Sequence, residues 1–149
     1  MEIRPCTLAD ADLIAALEPP GKDYAVRTFT AQEAGRCLYL VAWLGDRPVG
    51  SGELEWGDVP ELKNLNVDAD RRCRGIGSAL MAEAERAATP RGAIMVGVGD
   101  DNPGARRLYL RLGYEPTGKK ETYTYEYVDG DGVRHLATET AEYLQKPLP

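Results

Sequence analysis

The chain carries one histidine in 149 residues, His135, so imidazole chemistry has a single candidate and no second ring to pair with. His135 follows the turn-like run Asp129-Gly130-Asp131-Gly132 and reads as a solvated loop residue rather than the base of a Ser or Cys triad. Cysteine is scarce as well. Cys6, Cys37 and Cys73 are odd in number and scattered, with no Cys-x-x-Cys, which implies reduced thiols and no disulfide framework. A structural zinc needs a cluster of Cys, His or carboxylate ligands at close spacing, and without one no metal is expected. Long apolar runs are missing: Leu38 to Leu44 is far shorter than the roughly 20 residues of a membrane helix and reads as a buried strand. Glu2, Asp10 and Asp12 interrupt the N-terminus, so no secretory leader is expected and a cytoplasmic location follows. An excess of positive charge is also lacking. The formal net charge of -6 argues against nucleic acid or an anionic membrane as partner, because neutralising phosphates needs a basic surface.

A chain of this length suits one domain over residues 1–149, burying roughly 70% of its unfolded surface in one shared core. A short strand near Ile3 leads to Thr7, a helix N-cap, and a helix with Leu13, Ile14 and Leu17 on one face. A second helix is expected from Tyr24 to about Arg36. Leu38 to Leu44 and Val49 to Trp56 flank Gly45-Asp46-Arg47-Pro48, which is hairpin chemistry. A fourth strand runs from Glu61 to Asp68, with Leu65 and Val67 alternating with Asn64 and Asn66. After the turn at residues 72–77, a helix to about Ala88 places Ile76, Leu80 and Ala84 on one stripe, and Ala93 to Val98 is a fifth strand. Asn102 before Pro103 marks the start of a further helix ending at Gly113. Tyr123, Tyr125 and Tyr127, the Asp-Gly turn and Val133 to Leu144 form a closing antiparallel hairpin. This order predicts an α/β fold with a mixed sheet of about seven strands and helices on both faces.

Arg72-Cys73-Arg74-Gly75-Ile76-Gly77 joins a strand to a helix, an arrangement suited to anions because the first helical N–H groups lack intrahelical partners and the helix dipole favours negative charge. Gly75 and Gly77 let phosphate oxygens approach the backbone, and Arg72 and Arg74 add charge-assisted contacts. The run lacks the Gly-Lys-Ser/Thr of a P-loop and the third glycine of the dinucleotide fingerprint, which disfavours ATP hydrolysis and NAD binding.

These six residues resemble the Arg/Gln-x-x-Gly-x-Gly/Ala hallmark of the GNAT superfamily of N-acetyltransferases. A second stretch similar to that family is Asn102-Pro103-Gly104-Ala105-Arg106-Arg107-Leu108-Tyr109, running on to Leu112-Gly113-Tyr114. The resemblance implies acetyl-CoA as co-substrate, with its pantetheine arm paired to the backbone of Leu65, Asn66 and Val67 and its pyrophosphate held by residues 72–78, Ser78 included. It implies splayed fourth and fifth strands, with Asn102 and Tyr109 approaching the thioester and sulfur end. Cys73 stands where family members more often carry glycine, an aromatic or a polar residue, and reads as a small residue beside the cofactor. The resemblance also implies a primary amine as acceptor, small molecule or peptide, attacked directly without a covalent enzyme intermediate. Tyr109 would protonate the leaving thiolate. Glu61, where the family often places an acid, would act as base, with Glu53 and Glu55 on the third strand as rivals. A homodimer is compatible with this reading. The alternative is a non-catalytic acetyl-CoA sensor or regulatory module on the same fold.

Overall fold

A computed structural model describes residues 1–72 and 74–149 of the chain. They fall into two compact units, Met1–Ile94 with Leu148–Pro149, and Met95–Pro147. Among the described residues there are seven strands and four α-helices, so the expected α/β class stands.

In the first unit, β1 (Glu2–Pro5), β2 (Cys37–Leu44), β3 (Arg47–Glu55) and β4 (Glu61–Val67) lie side by side in chain order, each pair antiparallel. Thr7 caps α1 (Leu8–Leu17) as its sequence predicts: Asp10 N–H donates to Thr7 Oγ1 at 3.1 Å, and Thr7 N–H donates to Asp10 Oδ2 at 3.2 Å. The buried face of α1 differs from the expected Leu13-Ile14-Leu17 stripe. Asp10 and Ala11 are buried and Ile14 half-buried, whereas Leu17 is 66% exposed. The cause is polar, because Arg4 on β1 donates to both Asp10 oxygens, at 3.1 and 3.4 Å, and so turns the Asp10 side of the helix towards the strands. Helix α2 (Tyr24–Glu33) stops one turn short of Arg36, where Gly35 takes φ +78° and the Arg36 N–H closes back on Ala31 O at 3.0 Å.

The odd-numbered positions of β2 meet these two helices. Tyr39, Val41 and Trp43 cluster with Cys6, Ala11 and Ala25, and Ile14, Tyr24 and Phe29 pack around them. Helix α3 (Ile76–Ala88) packs with Ile76, Leu80, Met81 and Ala84 buried. Its approach to β3 is so close that a Cβ at Gly50 would lie 3.0 Å from Asn66 O and 3.1 Å from Ile76 Cγ2. Position 50 therefore takes only glycine without displacing backbone.

In the second unit, β5 (Ala93–Gly99, its first two residues in the first unit), β7 (Arg134–Pro147) and β6 (Glu115–Val128) are neighbours in that order. Helix α4 (Pro103–Arg111) begins as expected, with Asn102 Oδ1 accepting from Ala105 N–H at 3.1 Å and proline in the first turn. The expected hairpin is present and longer than the tyrosine alternation suggests. Its register runs from Val128↔Arg134 to Glu115↔Gln145, broken between Pro116 and Lys120.

Candidate active site

Two features of the first unit bear on anion and amine chemistry. The first is the start of α3. Gly75 is its N-cap in the left-handed region, φ +80°, and no side chain caps the helix. The first intrahelical bond runs from Ala79 N–H to Gly75 O, which leaves the N–H groups of Ile76, Gly77 and Ser78 without intrahelical acceptors. Among the described residues, a Cβ at Gly77 would meet Val67 Cγ2 at 3.7 Å, ordinary van der Waals contact. Arg72 and Arg74 are exposed beside this turn, and Arg72 Nε reaches Val67 O at 3.4 Å. Arg47 is drawn instead to Asp68 and Asp70, both at 3.8 Å. The described residues thus fit a diphosphate: backbone N–H groups without intrahelical acceptors, a glycine cradle and two guanidinium groups. Cys73, expected in the same run, lies outside the described residues.

The second feature is a bulge in β4. Ser51 pairs with Asn66 and Glu53 with Lys63, so Gly52 alone on β3 opposes Asn64 and Leu65 on β4. Asn64 adopts φ +54°, a left-handed conformation that asparagine tolerates better than most residues. The kink delivers Asn64 Nδ2 to Glu53 Oε2 at 3.1 Å, and the same oxygen accepts from the Tyr24 hydroxyl at 3.2 Å. Burial, then the nearby Glu53 charge, pushes the Tyr24 phenol up to about 12, so it remains a donor at any physiological pH.

Tyr24 and Asn64 of this group line one of two adjoining hollows of about 580 and 510 Å³, which share Ile14, Glu18, Tyr39, Ser51 and Asn66. Leu17, exposed on α1, lines the larger; Lys22, Tyr24, Asn64 and Leu65 line the smaller. Glu18 is not a free carboxylate, because its two oxygens accept from Tyr24 N–H at 3.1 Å and Ala25 N–H at 2.8 Å. It caps α2 in place of Asp23, whose side chain makes no capping bond. Glu61 sits opposite Glu55 at the start of β4, three residues or about 10 Å along the strand from the bulge. The structure therefore brings Glu53, rather than Glu61, to the bulge.

In the second unit, Tyr109 lies on α4, half-buried, its ring 5.8 Å from that of the buried Tyr114. Burial raises its pKa, which keeps the phenol protonated at neutral pH. Asn102 spends its carbonyl oxygen on the helix cap and retains its amide N–H₂. His135 is bound to Asp129 at 2.6 Å and stacked on Tyr127 near the hairpin turn.

Comparison with known proteins decides what this arrangement belongs to: residues 7–114 match the family described as acetyltransferase (GNAT). The chain belongs to that family. An uncharacterised N-acetyltransferase of Methanocaldococcus jannaschii is 37% identical over 87 residues, 52% of this chain and 38% of the relative. The chain thus spans well under half the length of that curated relative. Among solved structures, the ribosomal-protein-S18-alanine N-acetyltransferase of Escherichia coli superposes with a TM-score of 0.70 at 20% identity, over 99% of this chain and 93% of that one. A GNAT acetyltransferase of Elizabethkingia anophelis, solved with acetyl-CoA bound, gives 0.69 at 21% identity, over 99% and 97%. At these identities the likeness concerns the fold.

For this GNAT protein, the glycine turn at the start of α3 was readable from the sequence, whereas the bulge and the Glu53-Tyr24-Asn64 group were not. The available signal was Asn64 itself, a residue tolerant of positive φ inside an otherwise regular strand. Among the described residues no group of three or more His, Cys, Asp or Glu is placed to hold a metal, and no helix is long and apolar enough to cross a membrane.

Proposed function

We propose that this GNAT protein transfers the acetyl group of acetyl-CoA to a primary amine, acting in the cytoplasm as a single acetyltransferase domain. The observation that carries the reading is the start of α3, opened by left-handed Gly75 eight residues beyond the end of the bulged strand β4 at Val67. Residues 72–78 would hold the pyrophosphate, through main-chain N–H groups and Arg72 and Arg74, and the backbone of Leu65, Asn66 and Val67 would pair with pantetheine. In the second unit, the family resemblance supports Asn102 as a contact to the thioester end and Tyr109 as the acid.

The acceptor reading rests on the hollows beside β3 and β4, which join apolar Ile14 and Leu17 to the polar Ser51, Asn64 and Asn66. An amine must lose its proton before it attacks. A lysine-like amine of pKa near 10.4 is about one part in a thousand neutral at pH 7.4, a deficit of roughly 4 kcal/mol, whereas an α-amine near 8 faces under about 1. A base therefore matters most for the first. Glu53 is favoured over Glu61 because two donors hold one of its oxygens beside the bulge and leave the other to accept a proton, directly or through water. The amine lone pair attacks the thioester carbon, the C–S bond breaks as the departing thiolate takes the Tyr109 hydroxyl proton, and the surplus proton on the acylated nitrogen returns the Tyr109 phenolate to its phenol. The products are the N-acetyl amine and coenzyme A, with no acyl-enzyme.

Thiol release from acetyl-CoA, measured with amino acids, polyamines, aminoglycosides and N-terminal peptides in turn, tests the reading. Release with at least one amine is expected. Acetyl-CoA binding with no release from any of them would turn the conclusion to a non-catalytic acetyl-CoA sensor, and absence of binding would remove both.

A further inference from the structure

Strand β6 is the outer strand of the order β5-β7-β6, and all fourteen of its residues are exposed. Its backbone polarity follows from the hairpin turn. Asp129 N–H donates to Val133 O at 3.0 Å, so by antiparallel alternation Tyr127, Tyr125 and Tyr123 direct their N–H and C=O groups at β7. Lys120, Thr122, Thr124 and Glu126 then direct theirs off the free edge. From Lys120 to Val128 the register with β7 is unbroken and contains no proline or bulge; both of those edge-protecting devices are confined to Pro116–Lys120. On one face of this stretch Tyr123, Tyr125 and Tyr127 form a ladder with ring centroids 6.0 and 6.2 Å apart, and each remains at least 38% exposed.

The charge pattern along this edge is complementary to itself. A two-fold axis through Tyr123, perpendicular to the strands' plane, pairs residues whose numbers sum to 246. Lys120 then faces the partner's Glu126, twice by symmetry, and Thr122 faces the partner's Thr124. All four of these positions carry outward backbone groups, so each facing pair exchanges hydrogen bonds. Moving the axis to Thr122 sets Lys120 against the partner's Thr124 and Glu126 against the partner's Gly118. Moving it to Thr124 sets Lys120 against the partner's Val128. Either shift loses both ion pairs, so one register is preferred.

We propose that β6 is a seam at which two copies of this chain pair antiparallel across residues 120–126, with the tyrosine ladders meeting about Tyr123. The inference stands independently of the acetyltransferase reading, since it uses none of the residues assigned to it.

Sedimentation equilibrium of the full chain, up to about 200 μM protomer, tests the seam. The expected result is a dimer weakened at least tenfold by Lys120→Glu or by Glu126→Lys alone, each of which sets like charges together twice, and restored when the two are combined. Thr124→Pro, which deletes an outward N–H that β7 does not use, should yield a monomer with an unchanged circular dichroism spectrum. A wild-type monomer over the whole range, a dimer indifferent to these variants, or a double variant no tighter than the singles would overturn the proposal.

Discussion

Replacing Gly77 by alanine separates a glycine kept for a cofactor from one that only shapes a turn. Gly77 is the second residue of α3 and does not adopt a positive φ, so a methyl group there has an allowed backbone. Its Cβ would touch Val67 Cγ2 at 3.7 Å, ordinary van der Waals contact. Alanine is better than glycine within a helix by up to about 1 kcal/mol, which for a chain of this size raises Tm by about 2–4 °C. Acetyl-CoA affinity should move the opposite way. If the pyrophosphate is drawn to the N–H groups of Ile76, Gly77 and Ser78, a methyl group at the cradle pushes it out of reach of at least one of them. Loss of one hydrogen bond to a charged group, about 1.5–3 kcal/mol, weakens Kd by about 10- to 150-fold. Calorimetric titration with acetyl-CoA and a thermal melt on the same preparation read both signs. A more stable Gly77→Ala protein with wild-type affinity would refute the placement of the phosphates, because the methyl group would then occupy empty space.

Tyr109→Phe keeps the ring but removes the proton, so kcat should fall at least roughly tenfold with acetyl-CoA affinity nearly unchanged; wild-type single-turnover chemistry would remove Tyr109 as the acid. Glu53→Gln should depress kcat/KM more for a lysine-like amine than for an α-amine and flatten the pH–rate profile, whereas Glu61→Gln should not; the reverse pattern would return the base to Glu61. Asp10 supplies a pH dependence of stability. Burial pushes its carboxyl up, but the hydrogen bonds from Arg4 and from the Thr7 backbone and hydroxyl outweigh that and hold it below the usual carboxylate range. Its contribution is therefore full above about pH 5 and is lost as pH falls through the lowered folded-state value. Because Arg4 is partly exposed, the Asp10→Asn loss at pH 7 should be only about 1–2 kcal/mol, shrinking in urea melts as the pH is lowered; a loss that does not change with pH would contradict the ion-pair origin.

What the sequence determined by itself was whatever depends on near neighbours. The Thr7 and Asn102 caps, the stop at Gly113, the β2–β3 turn and the glycine start of α3 each reflect one residue's conformational freedom or one side chain's reach along its own backbone. The two family motifs lay in such segments, so the glycine turn that opens α3 and the Asn102 cap of α4 could be placed in advance. The exposed face of α1 could not, because an ion pair between Arg4 and Asp10 on different elements overrides the apolar stripe that periodicity suggests. Nor could the Glu53-Tyr24-Asn64 group, whose members are 11 to 40 residues apart and meet only after β3 and β4 have paired with a bulge. The free edge of β6 is of the same kind: the tyrosine alternation is written in the chain, but which edge stays unpaired depends on β7 lying between β5 and β6. Register, strand order and cross-strand contact are properties of pairing, and a residue acquires them only when a distant segment arrives beside it.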